Sequence, residues 1–265
     1  MRKINSKNTL VFIICAFLAS WIIWGFCFIA DDKTGGILRI VGTFGPSVSA
    51  IIISLVSNKK ETVGIMKSAV NVRIKAVDYL LIFLLLPAVT AISYLIMRVS
   101  RLETPDFSYK VLELPVVFLY IFALMGPLGE ELGWRGFLLP KLLRKQNTLT
   151  AGIVLGLIWT VWHLPLFFIN GALQNSFVRT FGYTAAFIGY AYYTVLMSIF
   201  ISIIFVRSRG STFAALIIHT MGNMSIGCMP VVFSRTGAAI QLSLMTVAVA
   251  ALAIANRRIL FKKGK

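Results

Sequence analysis

Acidic side chains are scarce in this sequence. The 265 residues include nine Asp and Glu against 26 Lys and Arg, with only two His and three Cys. Charged residues make up 13% of the chain, about half the share of a soluble domain, so its helices cannot all face water. No hydrophilic block exceeds about 20 residues, which leaves no room for a soluble second domain. Cys15, Cys27 and Cys228 stand apart in apolar runs, with neither CxxC nor Cys/His spacing. That excludes a disulfide framework and a zinc finger. The net charge of +17 is spread as short basic clusters between apolar segments, with no continuous stripe. Clusters of that kind are topology signals, and nucleic acid is excluded as a partner.

What is present is apolar length. The chain is 58% hydrophobic with a mean hydropathy of +0.86, and several uncharged stretches reach the ~20 residues that cross a bilayer. The expected fold is all-α: a polytopic integral membrane protein of about eight transmembrane helices, forming one domain over residues 1–265. The expected spans are 9–30, 40–57, 79–99, 114–139, 149–169, 181–206, 211–233 and 237–255. The second contains Gly45–Pro46, which predicts a kink. Residues 58–75 form a basic linker whose Val63, Ile65, Met66, Val70 and Val72 suit an interfacial helix. Alternate loops carry 18 and 7 Lys and Arg, and the richer set includes both ends, so both termini are expected to be cytoplasmic.

Against this background the segment 126-GPLGEELGWRGFLLP-140 is anomalous. Seven of the nine acids lie in loops or at span edges; Glu130 and Glu131 lie deep in an apolar run. A charge at mid-bilayer costs at least ~2.5–3.5 kcal/mol, so such groups persist when paired and used. Glu131 and Arg135 are four apart and share a helix face, whereas Glu130 points about 100° away. This predicts a Glu131–Arg135 brace beside a free Glu130 carboxylate; a strut that only locks two helices is the plain alternative. The surrounding glycines predict a thin or broken helix.

Both histidines also fall inside spans. His163 stands in 159-WTVWHLPLF-167, and His219 with Asn223 in 219-HTMGN-223, again four apart on one face. Two donors aimed at one point suit an oxyanion or a shared water, although an interhelical hydrogen bond would need the same residues. The three motifs occupy spans 4, 5 and 7 and predict a shared polar cavity. Counted along ideal helices from the expected basic side, His219, Glu130 and His163 lie at roughly 12, 15 and 21 Å, so they are not level.

These residues resemble the CAAX-processing and bacteriocin-processing (CPBP) membrane protease family, which includes the type II CAAX prenyl endopeptidases. The family pattern is Glu-Glu-x-x-x-Arg, Phe-x-x-x-His and His-x-x-x-Asn. Here it reads 130-EELGWR-135, 159-WTVWH-163 and 219-HTMGN-223, with Trp159 in place of Phe as a bulky wall and a motif core of 126–224. The HExxH, GxGD and GxSG motifs of other intramembrane proteases are absent. The resemblance implies an intramembrane endopeptidase. Glu130 and His163 would activate water, His219 and Asn223 would stabilise the oxyanion, and Glu131, Arg135 and Trp159 would support them. It leaves open a metal-dependent or a glutamate-type mechanism, with zinc on Glu130, His163 and His219 as the metal alternative. The implied partners are the lipid bilayer and a peptide or membrane-protein substrate, either lipidated or carrying a leader. A short chain without an organelle signal suits a prokaryotic cell membrane. Two other classes stay in view: a non-proteolytic scaffold or bacteriocin self-immunity protein, and a proton-coupled carrier, for which inverted repeats would be expected.

Overall fold

A computed structural model describes residues 6–261. Arg2, Lys3, Lys262, Lys263 and Lys265, which enter the expected orientation, lie outside them. Every regular element among the described residues is a helix, with no strand. Five helices are long and apolar enough to cross a membrane: Asn8–Phe28, Ala76–Val99, Val111–Leu143, Tyr183–Arg207 and Arg235–Ala255. The protein is therefore an integral membrane protein.

The other three expected spans are helical but shorter. α1 (Ser6–Gly25) leads to α2 (Asp32–Gly42), which meets α3 (Gly45–Ser57) at 41°, a bent pair that counts as a sixth span if taken together. The bend falls at the expected Gly45–Pro46. α9 (Thr148–Trp162) has 15 residues and α12 (Thr212–Cys228) has 17, so each falls short of the ~20 residues of a full span. The apolar run of α9 continues beyond the helix, but His163 and Pro165 turn it into a 3-10 segment, Leu164–Phe167. Pro cannot donate the backbone bond that an α-helix needs there.

The linker forms helix α4 (Lys59–Ala69). Of its five named apolar residues only Ile65 is buried, against the backbone at Gly136. α5 is Ala76–Val99, α6 Leu114–Leu124, α10 Leu173–Phe181, α11 Tyr183–Arg207 and α13 Arg235–Ala255.

Span 4 is not one helix. After α6 the chain turns at Gly126, forms the short α7 (Pro127–Glu131), passes through a π-helical turn over Leu132–Leu138, and ends in α8 (Leu139–Leu143). π-turns inside helices concentrate at functional sites. Gly129 and Gly133 let this stretch lie on the kink of α2–α3: a Cβ on them would stand 2.7 Å from the Thr43 carbonyl oxygen and 2.5 Å from that of Pro46. The Ser47 hydroxyl donates to the Leu128 carbonyl at 2.9 Å, satisfying a backbone acceptor that the break would otherwise leave open.

α9 and α11 approach closely for a related reason. In 152-GIVLG-156, Gly152 and Gly156 face the backbone of Ile199 and Val195 at 3.1 and 2.7 Å from where a Cβ would be, a small-xxx-small contact. Thr160 and Thr194 extend the seam with a 2.6 Å hydroxyl pair. The contact holds α9 rigidly enough to place Trp159 and His163.

One acid expected at a span edge is fully buried. Asp78, at the start of α5, accepts from Arg207 Nε at 2.6 Å, and Arg207 Nη1 donates to Asn256 at 2.6 Å. The cluster ties the ends of α5, α11 and α13 together. Asp78→Ala should cost about 3 kcal/mol, because it strands a largely buried guanidinium. A fall in thermal unfolding midpoint in detergent, with cleavage kinetics retained at low temperature, is the expected result.

Candidate active site

The break in span 4 positions its two carboxylates differently. Gly126 has φ 109°, a conformation that L side chains rarely adopt, and it aims α7 into the bundle. Glu130 and Glu131, adjacent on α7, are both buried. Arg135 follows on the π-turn and is fully enclosed.

Glu131 is held through one oxygen. Its Oε1 accepts from Arg135 Nη1 at 2.7 Å and from His219 Nδ1 at 2.9 Å, which joins span 4 to α12. Oε2 of Glu131 and Nε and Nη2 of Arg135 have no protein partner, so all of the anchoring of Glu131 passes through Oε1. The expected Glu131–Arg135 pair is present, and His219 completes it.

Glu130 turns the other way. Its Oε2 accepts from the Trp159 indole Nε1 at 2.5 Å. A Cβ on Gly126 would meet Glu130 Oε1 at 2.5 Å and His219 Cε1 at 3.5 Å, so carboxylate and imidazole edge face one small volume that only glycine leaves free. Gly126→Ala is expected to lower kcat/KM about tenfold by pushing Glu130 aside, together with a loss of about 1 kcal/mol or more from the positive φ. Paired kinetics and thermal unfolding check this, and unchanged kinetics would sink it.

Trp159 is the hub of the site. Beyond its bond to Glu130, its ring lies 4.5 Å from the Arg135 guanidinium carbon and edge-on to His219 at 5.1 Å. Its backbone carbonyl takes the His163 Nδ1 bond at 2.8 Å. A carbonyl can only accept, so Nδ1 carries the hydrogen and Nε2 of His163 presents its lone pair. The wall role expected of Trp159 is therefore incomplete: the indole N–H makes a bond to Glu130 that a phenylalanine cannot. His163 lies four residues beyond Trp159, about 6 Å along the axis. It is Trp159, and not His163, that bonds Glu130.

A cavity of about 90 Å³ adjoins these groups. Trp159, His219 and Asn223 line it, together with Tyr190 and Tyr193 of α11. Glu130 and His163 touch Trp159 without lining the cavity themselves, so of the expected spans 5 and 7 reach it directly and span 4 reaches it through the indole. Asn223 donates one amide hydrogen to the Met125 carbonyl at 2.9 Å, leaving the other free. Sequence reasoning missed the two tyrosines. Tyr190 packs edge-on to His163 at 5.2 Å and its hydroxyl accepts from Gln174 at 2.9 Å. The aromatic cluster 190-YAYY-193 was the available signal, but its facing depends on the rotation of α11.

Among the described residues, no group of three or more His, Cys, Asp or Glu is arranged to hold a metal ion. Glu130, His163 and His219 do not form such a group: Trp159 lies against all three, while the bonded Nδ1 atoms of the two imidazoles leave both Nε2 atoms open. As placed, the three side chains do not converge on one ion.

Fold and site together define a polytopic helical membrane protein with a paired-glutamate, two-histidine centre. Residues 112–225, which contain all three motifs, match the family model of type II CAAX prenyl endopeptidase Rce1-like proteins. The chain is also 25% identical to CAAX prenyl protease 2 of Methanococcus maripaludis over 273 residues, covering 97% of each. These similarities bear out the resemblance carried by the motifs, and they support the class of CAAX-type intramembrane endopeptidases.

Proposed function

We propose that the chain hydrolyses a peptide bond of a membrane-associated substrate, lipidated or carrying a leader, using water activated by Glu130. The observation that carries this reading is the unequal treatment of two adjacent carboxylates. Glu131 is committed to Arg135 and His219, whereas Glu130 keeps one oxygen free beside the His219 edge. Glu130 takes a proton from a water that also donates to Nε2 of His163, and the water oxygen attacks the scissile carbonyl. The free amide hydrogen of Asn223 faces the oxygen on which charge develops, and His219 joins it when its Nε2 carries a hydrogen as well as its Nδ1. The C–N bond breaks as the proton on Glu130 passes to the leaving amine, giving a carboxylate and an amine. The similarity to a CAAX prenyl protease supports a lipidated C-terminal peptide as substrate. On the bias of 18 against 7 basic residues, both termini are proposed to be cytoplasmic, in a membrane that the resemblance suggests is prokaryotic.

Quantitative proteomics of source cells carrying either wild type or Glu130→Gln tests this reading. A membrane-associated precursor that accumulates only in the variant is the expected result. If processing is unchanged while deletion of the whole protein still has a phenotype, the protein acts as a scaffold.

A further inference from the structure

We propose that the hydroxyl of Tyr193 is a further catalytic group, a hydrogen-bond donor to the oxyanion that forms when water attacks the scissile carbonyl; this rests on the function proposed above. Tyr193 lies on α11 and lines the cavity together with Trp159, His219 and Asn223. Its Oη stands 3.2 Å from where a Cβ on Gly222 would be. Gly222 is three residues beyond His219 and next to Asn223 on α12, so the hydroxyl reaches the side of α12 that carries both groups.

The hydroxyl has no other use in the fold. In 190-YAYYT-194 the other three hydroxyls are bonded: Tyr190 accepts from Gln174 at 2.9 Å, Tyr192 pairs with Thr246 at 2.7 Å, and Thr194 pairs with Thr160 at 2.6 Å. Tyr193 Oη has no hydrogen-bond partner among the described residues. Phenylalanine would pack the same ring without leaving a donor unpaired, and an unpaired donor inside a protein is costly. An acceptor that arrives with the substrate accounts for the phenol.

The neighbours select that acceptor. Glu131 takes the His219 Nδ1 hydrogen, so a neutral His219 presents a lone pair at Nε2 and donates there only when charged. Asn223 keeps one free amide hydrogen, its other being on the Met125 carbonyl. A neutral His219 thus leaves one donor for the oxyanion, where developing charge is best met by several preorganised ones. Tyr193 supplies a second in either protonation state of His219, and it keeps its own proton throughout. The oxyanion carries more charge than the ground-state carbonyl, so the gain falls on kcat.

The test compares Tyr193→Phe with wild type on a lipidated C-terminal peptide. The expected result is a fall in kcat of about 10²-fold, the scale of one lost oxyanion donor, with KM within about twofold and no fall in thermal midpoint. Tyr192→Phe removes a hydroxyl that bonds Thr246 outside the cavity, and should change kcat by less than about twofold. A peptide with a phosphinate in place of the scissile amide mimics the charged intermediate. Its inhibition constant should rise in Tyr193→Phe by the factor that kcat falls. A kcat within about threefold of wild type, an unchanged phosphinate constant, or a loss that tracks a lower midpoint or a higher KM overturns the assignment and leaves the proposed function standing. A wild type that cleaves neither a lipidated nor a leader peptide overturns the proposed function, and the assignment falls with it.

Discussion

Purified Glu130→Gln protein is expected to lose about 10³-fold in kcat/KM, within the range that a positioned general base contributes, while remaining folded. The substitution is nearly isosteric, and its amide oxygen can still accept from the Trp159 indole that bonds Glu130 Oε2. It also removes a charge from a site that is only 2% exposed, so the thermal midpoint should hold or rise. Kinetics on a lipidated peptide and thermal unfolding, measured on one preparation, check both halves. A variant within about tenfold of wild type would remove Glu130 from the chemistry. A variant that fails to fold would make the carboxylate a structural group.

Arg135→Ala is expected to fail in the opposite way, through stability first. Arg135 and Glu131 are both without solvent exposure, and Glu131 relies on Oε1 alone. Deleting the guanidinium leaves a buried carboxylate with only His219, and breaking a buried pair from one side costs about 3–5 kcal/mol. The cation–π contact of Arg135 with Trp159 is lost as well, and it is worth up to about 2 kcal/mol when desolvated. Because the indole bonds Glu130 and Glu131 bonds His219, activity should fall with the midpoint. Arg135→Lys keeps the charge without the planar fork and should recover part of the midpoint. If Arg135→Ala leaves both quantities untouched, the brace does not exist.

The candidate site was legible because ionisable groups are so rare in an apolar chain. Glu130, Glu131, Arg135, His163 and His219 were conspicuous from position alone, and i, i+4 spacing sufficed to pair Glu131 with Arg135 and to set His219 and Asn223 on one face. The all-helical membrane fold and the kink at Gly45–Pro46 followed from equally local properties: the length of apolar runs and the missing backbone donor of proline.

Tertiary structure decided what rotation, breaks and non-local neighbours control. The glycines of span 4 predict a thin or broken helix, but the π-turn and the seating of the break depend on partners distant in sequence, Thr43, Pro46 and Ser47. Apolar length does not show that α9 stops at His163, or that Asp78 lies buried under Arg207. Trp159 could be read as a bulky wall from its type, but its indole hydrogen is directed at Glu130 by the α9–α11 contact, and the tyrosines reach the cavity by the turn of α11. Periodicity along one helix states which residues share a face, and only the packing of several helices states what that face meets.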